Sequence, residues 1–420
     1  MIQNKSRLYD NKTKNALQML EAGLEAAKPE RFLTKYIERN KISRPKNIRL
    51  SGFNRLYVIA VGKAADSMAN YVCSKIPIDG GLIVIPQTHK VEHSNKKLKI
   101  IHSSHPIPNK KSIIAAKSLI RFLQNTNQDD FVIFLISGGA SPLVCLPCGV
   151  TLKQKQALTR ELLACGATIK EINALRKHLS AVKGGKILEH LNCKAVSFVL
   201  SDVVGDDLSS IASGLTYCDT TTYADCMRII RKYGLANKIP KAILRHLRMG
   251  VQGKIPETPK VPKIPNYVVA SNKDCLIAMA NKAKALGYKT KTLQLLSGDI
   301  RIVARKILRN LPKSGYCLLF GGEPTVKVAG SGRGGRNQEL VLHLLKKLGS
   351  EFIVASVGTD GIDGNTKYAG AIFYRGVQKN EIERYLQNND SNSFFKKHGG
   401  LIKTGPTHTN LMDIGLVMRL

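Results

Sequence analysis

The sequence predicts an α/β protein of two domains, the first built on a parallel sheet. Short apolar runs such as "FVIFLISGG" recur from about residue 55, as expected of strands buried on both faces. Helix-periodic stretches such as "KAADSMANYVCSKI" and "KKSIIAAKSLIRFLQ" separate them, and parallel neighbours need such crossovers. The alternation restarts after a proline-rich segment, and 420 residues exceed one common domain length.

Taken in order, "RLYVIAVG" is the first strand and "KAADSMANYVCSKI" its helix; "GLIVIP" and "KLKIIHSSHPIP" follow, then helix "KKSIIAAKSLIRFLQ" and strand "FVIFLISGG". Residues 152–190 lack strand signals and read as helical before the buried strand "AVSFVLSDV". A helix near "TTYADCMRIIRKYGL" stops at Gly234. Pro256, Pro259, Pro262 and Pro265 stand at every third position; each ring fixes a backbone angle and removes a donor, so this segment reads as a stiff, extended connector. A second α/β unit follows: "YVVAS", helix "NKDCLIAMANKAKALGY", strand "GYCLLFGGE", helix "NQELVLHLLKKLG" and strand "EFIVASVGTDG". The expected boundaries are an N-terminal domain over 1–253, a connector over 254–266 and a C-terminal domain over 267–420.

With 43% apolar residues, 6% aromatics and no Trp, the chain suits a core of aliphatic side chains. The 65 basic against 30 acidic residues give +35, which raises polyanions as partners. The basic residues are spread along helix faces, however, and no tract interleaves them with stacking aromatics, so no dedicated nucleic-acid site is expected. The start lacks an apolar signal core, and no run approaches the roughly 20 apolar residues that span a bilayer. A cytoplasmic protein without membrane contact, monomer or homodimer, is the expectation. Nine scattered cysteines fit reduced thiols, and Cys145 and Cys148 in "CLPC" read as incidental.

The unusual residues sit at strand ends, where ligands of open parallel sheets collect. In "FLISGGASPL", Gly138 and Gly139 allow close backbone approach, Ser137 and Ser141 add hydroxyls, and the amides of the following helix start can face an anion. A tight strand-to-helix turn is the plainer alternative. Lys63 in "VIAVGKAADSMA" stands between strand and helix, where it can reach a phosphate. Asp202, Asp206 and Asp207 crowd another strand end and suit Mg²⁺, with helix capping as the alternative for one of them. Arg333 and Arg336, set among glycines, suit bidentate recognition of phosphate or carboxylate. Asp360 and Asp363 lie on a glycine-rich loop after a strand. The "SGGAS" turn is neither a P-loop nor the G-x-G-x-x-G fingerprint and lacks the pattern of a G-x-S-x-G elbow, and no H-E-x-x-H or paired Cys/His spacing proposes zinc. His105, His178 and His408 can lie near the site, though an isolated histidine is more often structural.

In order along the chain, "VGKAADSMA", "HPIPN", "LISGGASPL", "INALRKHLSAVKGGKI", "SDVVGDDLSSIASGLT", "GGEPTVKVAGSGRGGRNQEL", "GTDGIDG" and "TGPTHTNLMD" resemble the glycerate 2-kinase family, whose second half is the MOFRL domain. The resemblance runs from about residue 15 to the end. It implies a Rossmann-like N-terminal domain, a smaller α/β C-terminal domain and an active site in the interdomain cleft. It also implies ATP and Mg²⁺ as cofactors, with transfer of the γ-phosphoryl group to the 2-hydroxyl of D-glycerate. Lys63 and Arg336 fall on the lysine and arginine proposed as catalytic in the family, and Asp202, Asp206 or Asp207 would carry the metal. Ser137, Gly138, Gly139, Ser141, Arg333, Asp360 and Asp363 are the expected substrate- or nucleotide-binding residues. Asn109 replaces a common aspartate, and Asn365 and Lys367 stand where the family pattern has proline and aspartate. Two rival functions are an NAD(P)-dependent hydroxypyruvate reductase, which would need a dinucleotide site, and a non-catalytic polyanion-binding protein.

Overall fold

The apolar runs after position 55 become one six-stranded sheet in the computed structural model, which describes every residue except Tyr9, Lys90, Glu92, His93 and Ser94. Backbone contacts divide the chain into one unit of Leu33–Val269 and another of Met1–Phe32 with Ala270–Leu420. The first 32 residues, expected in the N-terminal domain, thus belong with the C-terminal half.

In the Leu33–Val269 unit, a small antiparallel sheet comprises β1 (Ile37–Glu38), β2 (Lys41–Ile42) and β3 (Ile48–Arg49). The main strands are β4 (Leu56–Val61), β5 (Gly80–Pro86), β6 (Leu98–Ser103), β7 (Phe131–Ile136), β8 (Lys194–Leu200) and β9 (Asn266–Ala270), in the order β6-β5-β4-β7-β8-β9. Pairing from β6 through β8 is parallel. Every residue of β7 is buried, which is why its sequence shows no alternation. The chain winds outward from β4 through β5 to β6, then returns to place β7 on the other side of β4. The strand order therefore reverses between β4 and β7, and a ligand crevice opens at the carboxyl ends of such a pair.

Two expectations are corrected here. In "YVVAS", residues 267–270 lie in β9, the edge of this sheet, rather than opening the second unit's sheet. The proline segment is no free spacer: Pro259 O accepts from Asp219 N, Pro265 O from Ser197 N, and Lys263 Nζ caps Leu188 O and Leu191 O. Proline removes donors but leaves carbonyls, and here these bind the unit's own chain.

The other unit holds a mixed sheet of β10 (Lys289–Asp299), β11 (Tyr316–Thr325), β12 (Phe352–Gly358), β13 (Gly370–Phe373), β14 (Leu401–Ile402) and β15 (Asp413–Arg419), in the order β10-β11-β15-β12-β13-β14. The last strand lies between β11 and β12, antiparallel to both. The helix Lys14–Ala26 packs on this sheet and on the helix Asn272–Ala285; a Cβ at Gly23 would lie 2.7 Å from Ile414 and 2.8 Å from Met279. Among the described residues no helix is long and apolar enough to cross a membrane.

Candidate functional site

The reversal between β4 and β7 brings Lys63 and the "SGGAS" turn together. Lys63 N donates to Gly138 O at 2.9 Å, Ala64 N to Ser137 Oγ at 3.0 Å, and Ser137 N to Val61 O at 3.0 Å. Ser137 is fully buried and its hydroxyl accepts from the neighbouring turn, so it holds the two turns together. Gly139 has φ +79°, and a Cβ there would lie 3.1 Å from the His105 ring and 3.3 Å from Lys63 Cγ. Glycine is required by both the left-handed conformation and the close approach of these two side chains.

Ser141 points elsewhere along the same turn. Its hydroxyl pairs with Ser213 Oγ at 2.8 Å, and Ser213 donates onward to Asn173 Oδ1 at 3.0 Å. Ala212 and Ser213 both have positive φ, at 54° and 57°, a conformation that costs a non-glycine residue about 1–2 kcal/mol. The strained turn is fixed by partners on a facing loop: Gly184 N donates to Ser213 O, and Lys183 Nζ lies 3.4 Å from Ala212 O.

Beside this turn lies a cavity of about 510 Å³ whose walls include His105, Ser141, Lys155, Arg176 and Lys183. Lys155 and Lys183 are buried. Lys155 Nζ donates to Arg176 O at 2.9 Å and Leu179 O at 2.8 Å. Burial, reinforced by nearby cations, pushes the Lys155 amine down to about 8 and the Lys183 amine to about 7; burial also lowers Arg176. Sequence reading missed these three residues. Arg176 and Lys183 lie in the motif "LRKHLSAVKGGK" and Lys155 in "TLKQKQALT", but nothing in a string of basic residues says which of them the fold buries.

The remaining acidic candidates divide. Asp207 accepts from Ser209 N and Ser210 Oγ, so it caps its own turn and is withdrawn from the metal set. Asp206 is exposed with φ 55°, and Asp202 is half-buried. Among the described residues no group of three or more His, Cys, Asp or Glu side chains is arranged to hold a metal ion. His178 is buried, its ring nitrogens against Ala174 O and Glu257 Oε2. All nine cysteines are free thiols.

In the other unit Arg336 begins the helix Arg336–Leu345. Its Nε and Nη2 donate to the two oxygens of buried Asp413 at 2.6 and 3.0 Å, and Nη1 donates to Glu323 at 2.8 Å. Burial alone would weaken its hold on the proton, but the two carboxylates reverse that and raise it. Asp363, expected as a binding residue, is instead the anchor of this helix: buried, it accepts from Asn337 N, Gln338 N and both their side-chain amides. Asp360 accepts from Ile362 N. Arg333 is exposed, its guanidinium 3.5 Å from Asn365 O.

The departures from the family pattern have local explanations. Asn109 still caps its helix, accepting from Lys111 N. Asn365 exchanges two hydrogen bonds with Gly334, one donated by its own backbone N–H, which proline lacks. Lys367 is exposed and lies over the Tyr368 ring at 6.0 Å.

Comparison with known proteins agrees with this architecture. Residues 15–248 match a domain of unknown function, DUF4147, and residues 316–413 match the MOFRL family. A glycerate 2-kinase of Pyrococcus horikoshii is 36% identical, covering 95% of each chain. A protein of Agrobacterium vitis, provisionally named hydroxypyruvate reductase, is 38% identical over 90% of each. The crystal structure of a glycerate kinase from Thermotoga maritima superposes with a TM-score of 0.81 at 34% identity, covering 97% of this chain and 99% of that one. The fold and these relatives place the chain among the α/β kinases that phosphorylate a small alcohol. More narrowly, it belongs to the glycerate 2-kinase family, with its DUF4147 and MOFRL parts.

Proposed function

We propose that the protein transfers the γ-phosphoryl group of ATP to the 2-hydroxyl of D-glycerate, releasing 2-phosphoglycerate and ADP. The observation that carries this reading is the joining of Lys63 and Gly138 at the switch point of the parallel sheet, beside a cavity walled by cations, in a chain 36% identical to a glycerate 2-kinase. The acceptor oxygen forms its bond to phosphorus as the bond to the bridging oxygen of ADP breaks, and the hydroxyl proton is released.

Such a transfer asks chiefly for alignment and compensation of charge spread over the transferred oxygens. Lys63 supplies a compact cation at the mouth of the sheet, and Arg336 is the second cation assigned to catalysis. Gly139 lets the Lys63 and His105 side chains lie close against the turn. Asp202 and Asp206 are the residues that would hold Mg²⁺, which needs only one or two carboxylates when phosphate oxygens complete its shell. Mg²⁺ would neutralise the phosphates of the bound nucleotide.

The test is to incubate the protein with D-glycerate, ATP and Mg²⁺ and identify the product. Formation of 3-phosphoglycerate would change the regiochemistry; absence of any phosphorylated glycerate would remove the assignment. The reductase name of the Agrobacterium vitis relative supports a second reading, against which the turn after β4, with Gly62 and Lys63, lacks the dinucleotide fingerprint. Rapid NADH oxidation by hydroxypyruvate without ATP would favour that reading.

A further inference from the structure

The cavity beside Ser141 holds more positive charge than the described residues compensate. Lys155 and Lys183 are 6% and 2% exposed; burial weakens the hold of both on their protons, and Arg176 weakens it further. No Asp or Glu lines the cavity. Buried charges are normally paired, because removing an ion from water costs several kcal/mol. A cluster of like charges facing an open volume without an acid is a site built for an anion.

The rim differs from the floor. Ile107 and Leu163, both lining the cavity, are 69% and 61% exposed, and Pro106, Pro108, Pro142 and Leu152 extend the apolar surface. One face of the helix Leu152–Ala164 runs along the wall, carrying buried Lys155 near its start and exposed Leu163 near its end. Gln156 ties this helix to the facing loop through Pro108 O at 2.8 Å. A volume of about 510 Å³ falls within the range of roughly 300–1,000 Å³ typical of pockets for ligands far larger than a small hydroxy acid. D-glycerate also has no apolar part to match the rim.

We infer that this cavity is the nucleotide site, with the phosphates on Lys155, Arg176 and Lys183 and the base against Ile107 and Leu163. The inference rests on the kinase reading and goes beyond it by naming the residues of the phosphate donor's site. A polyanion supplies the acidic partner that the backbone carbonyls on Lys155 and Lys183 do not, and a flat heterocycle covers the exposed apolar rim.

Calorimetric titration of the full chain with ADP, inorganic pyrophosphate and D-glycerate tests this with Arg176→Gln, Lys183→Met and Leu163→Glu. The first two changes should weaken ADP roughly tenfold or more, the scale of a lost charge-assisted contact. Arg176→Gln should leave the melting temperature unchanged or raised, since no acid loses its partner, whereas Lys183→Met also gives up the contact to Ala212 O. Leu163→Glu should weaken ADP several-fold and leave pyrophosphate unchanged. Wild-type ADP affinity in all three variants would overturn the inference, as would loss of D-glycerate binding with ADP retained. If the wild type phosphorylates D-glycerate while the variants keep full ADP affinity, this inference alone fails. If it binds ADP through these residues yet phosphorylates no glycerate, the cavity assignment stands and the acceptor is wrong.

Discussion

Arg336 and Asp413 meet through two parallel hydrogen bonds, at 2.6 and 3.0 Å, with the carboxylate buried and the guanidinium also bound to Glu323. Removing the arginine leaves a buried carboxylate unpaired, a change that typically costs about 3–5 kcal/mol. Arg336→Ala should therefore lower both stability and turnover, and activity alone cannot separate the two effects. The double variant Arg336→Ala with Asp413→Ala removes the orphaned charge and should recover much of the stability, as read by urea unfolding. If turnover stays low in the refolded double variant, Arg336 acts on the reacting phosphate; recovery of turnover would make it a structural partner of Asp413.

Lys63 gives a cleaner case. Its backbone N–H joins the turns after β4 and β7, and Lys63→Ala keeps that bond. We expect kcat to fall by roughly a hundredfold or more, in line with the loss of a preorganised charge at a phosphoryl group, with the melting temperature nearly unchanged. Steady-state kinetics beside a thermal scan decides; unaltered kcat would show that another cation does this work.

The sheet of the first unit was legible because a strand buried on both faces must be written in consecutive apolar residues, as Phe131–Ile136 is. Once β4 and β7 were recognised, the glycines and Lys63 at their ends marked the site. Other features were not legible for physical reasons. β15 lies between β11 and β12 although it is last in the chain, and no local pattern encodes a pairing partner so distant in sequence. The prolines at every third position describe backbone geometry correctly but say nothing of what their carbonyls bind. Asp363 has the residue type of a ligand donor and was expected as such; burial and competing backbone donors commit it to structure. Lys155, Arg176 and Lys183 look like surface lysines and arginine until the fold turns them inward.

Gly23 tests the assignment of the N-terminal segment to the C-terminal unit. A methyl group there would press on Ile414 and Met279 at under 3 Å, and overpacking of this kind typically costs about 1–3 kcal/mol. Gly23→Ala should lower the denaturant midpoint by that amount despite alanine's better helix propensity. A stabilised variant would mean that the helix Lys14–Ala26 does not pack there.

The buried cations make nucleotide affinity pH-dependent in a direction that can be worked out. In the empty cavity burial holds Lys183 at about 7 and Lys155 at about 8. The groups facing them are Arg160, Arg176, Lys186, His105, Cys145 and Cys148, with no carboxylate among them. Because both lysines titrate below their unfolded value, the unfolded chain binds more protons, and the empty protein should gain stability as pH rises from about 7 towards 10. Phosphate oxygens restore the lysines' preference for the charged form, so binding ADP above neutrality takes up protons. ADP affinity should therefore fall as pH is raised from 7 to about 9, a window in which the terminal phosphate, titrating near about 6, is already ionised. Calorimetry in buffers of different ionisation enthalpy measures the proton uptake directly. Lys183→Met should reduce that uptake, whereas an affinity flat across the window with no uptake would mean that these amines do not meet the phosphates.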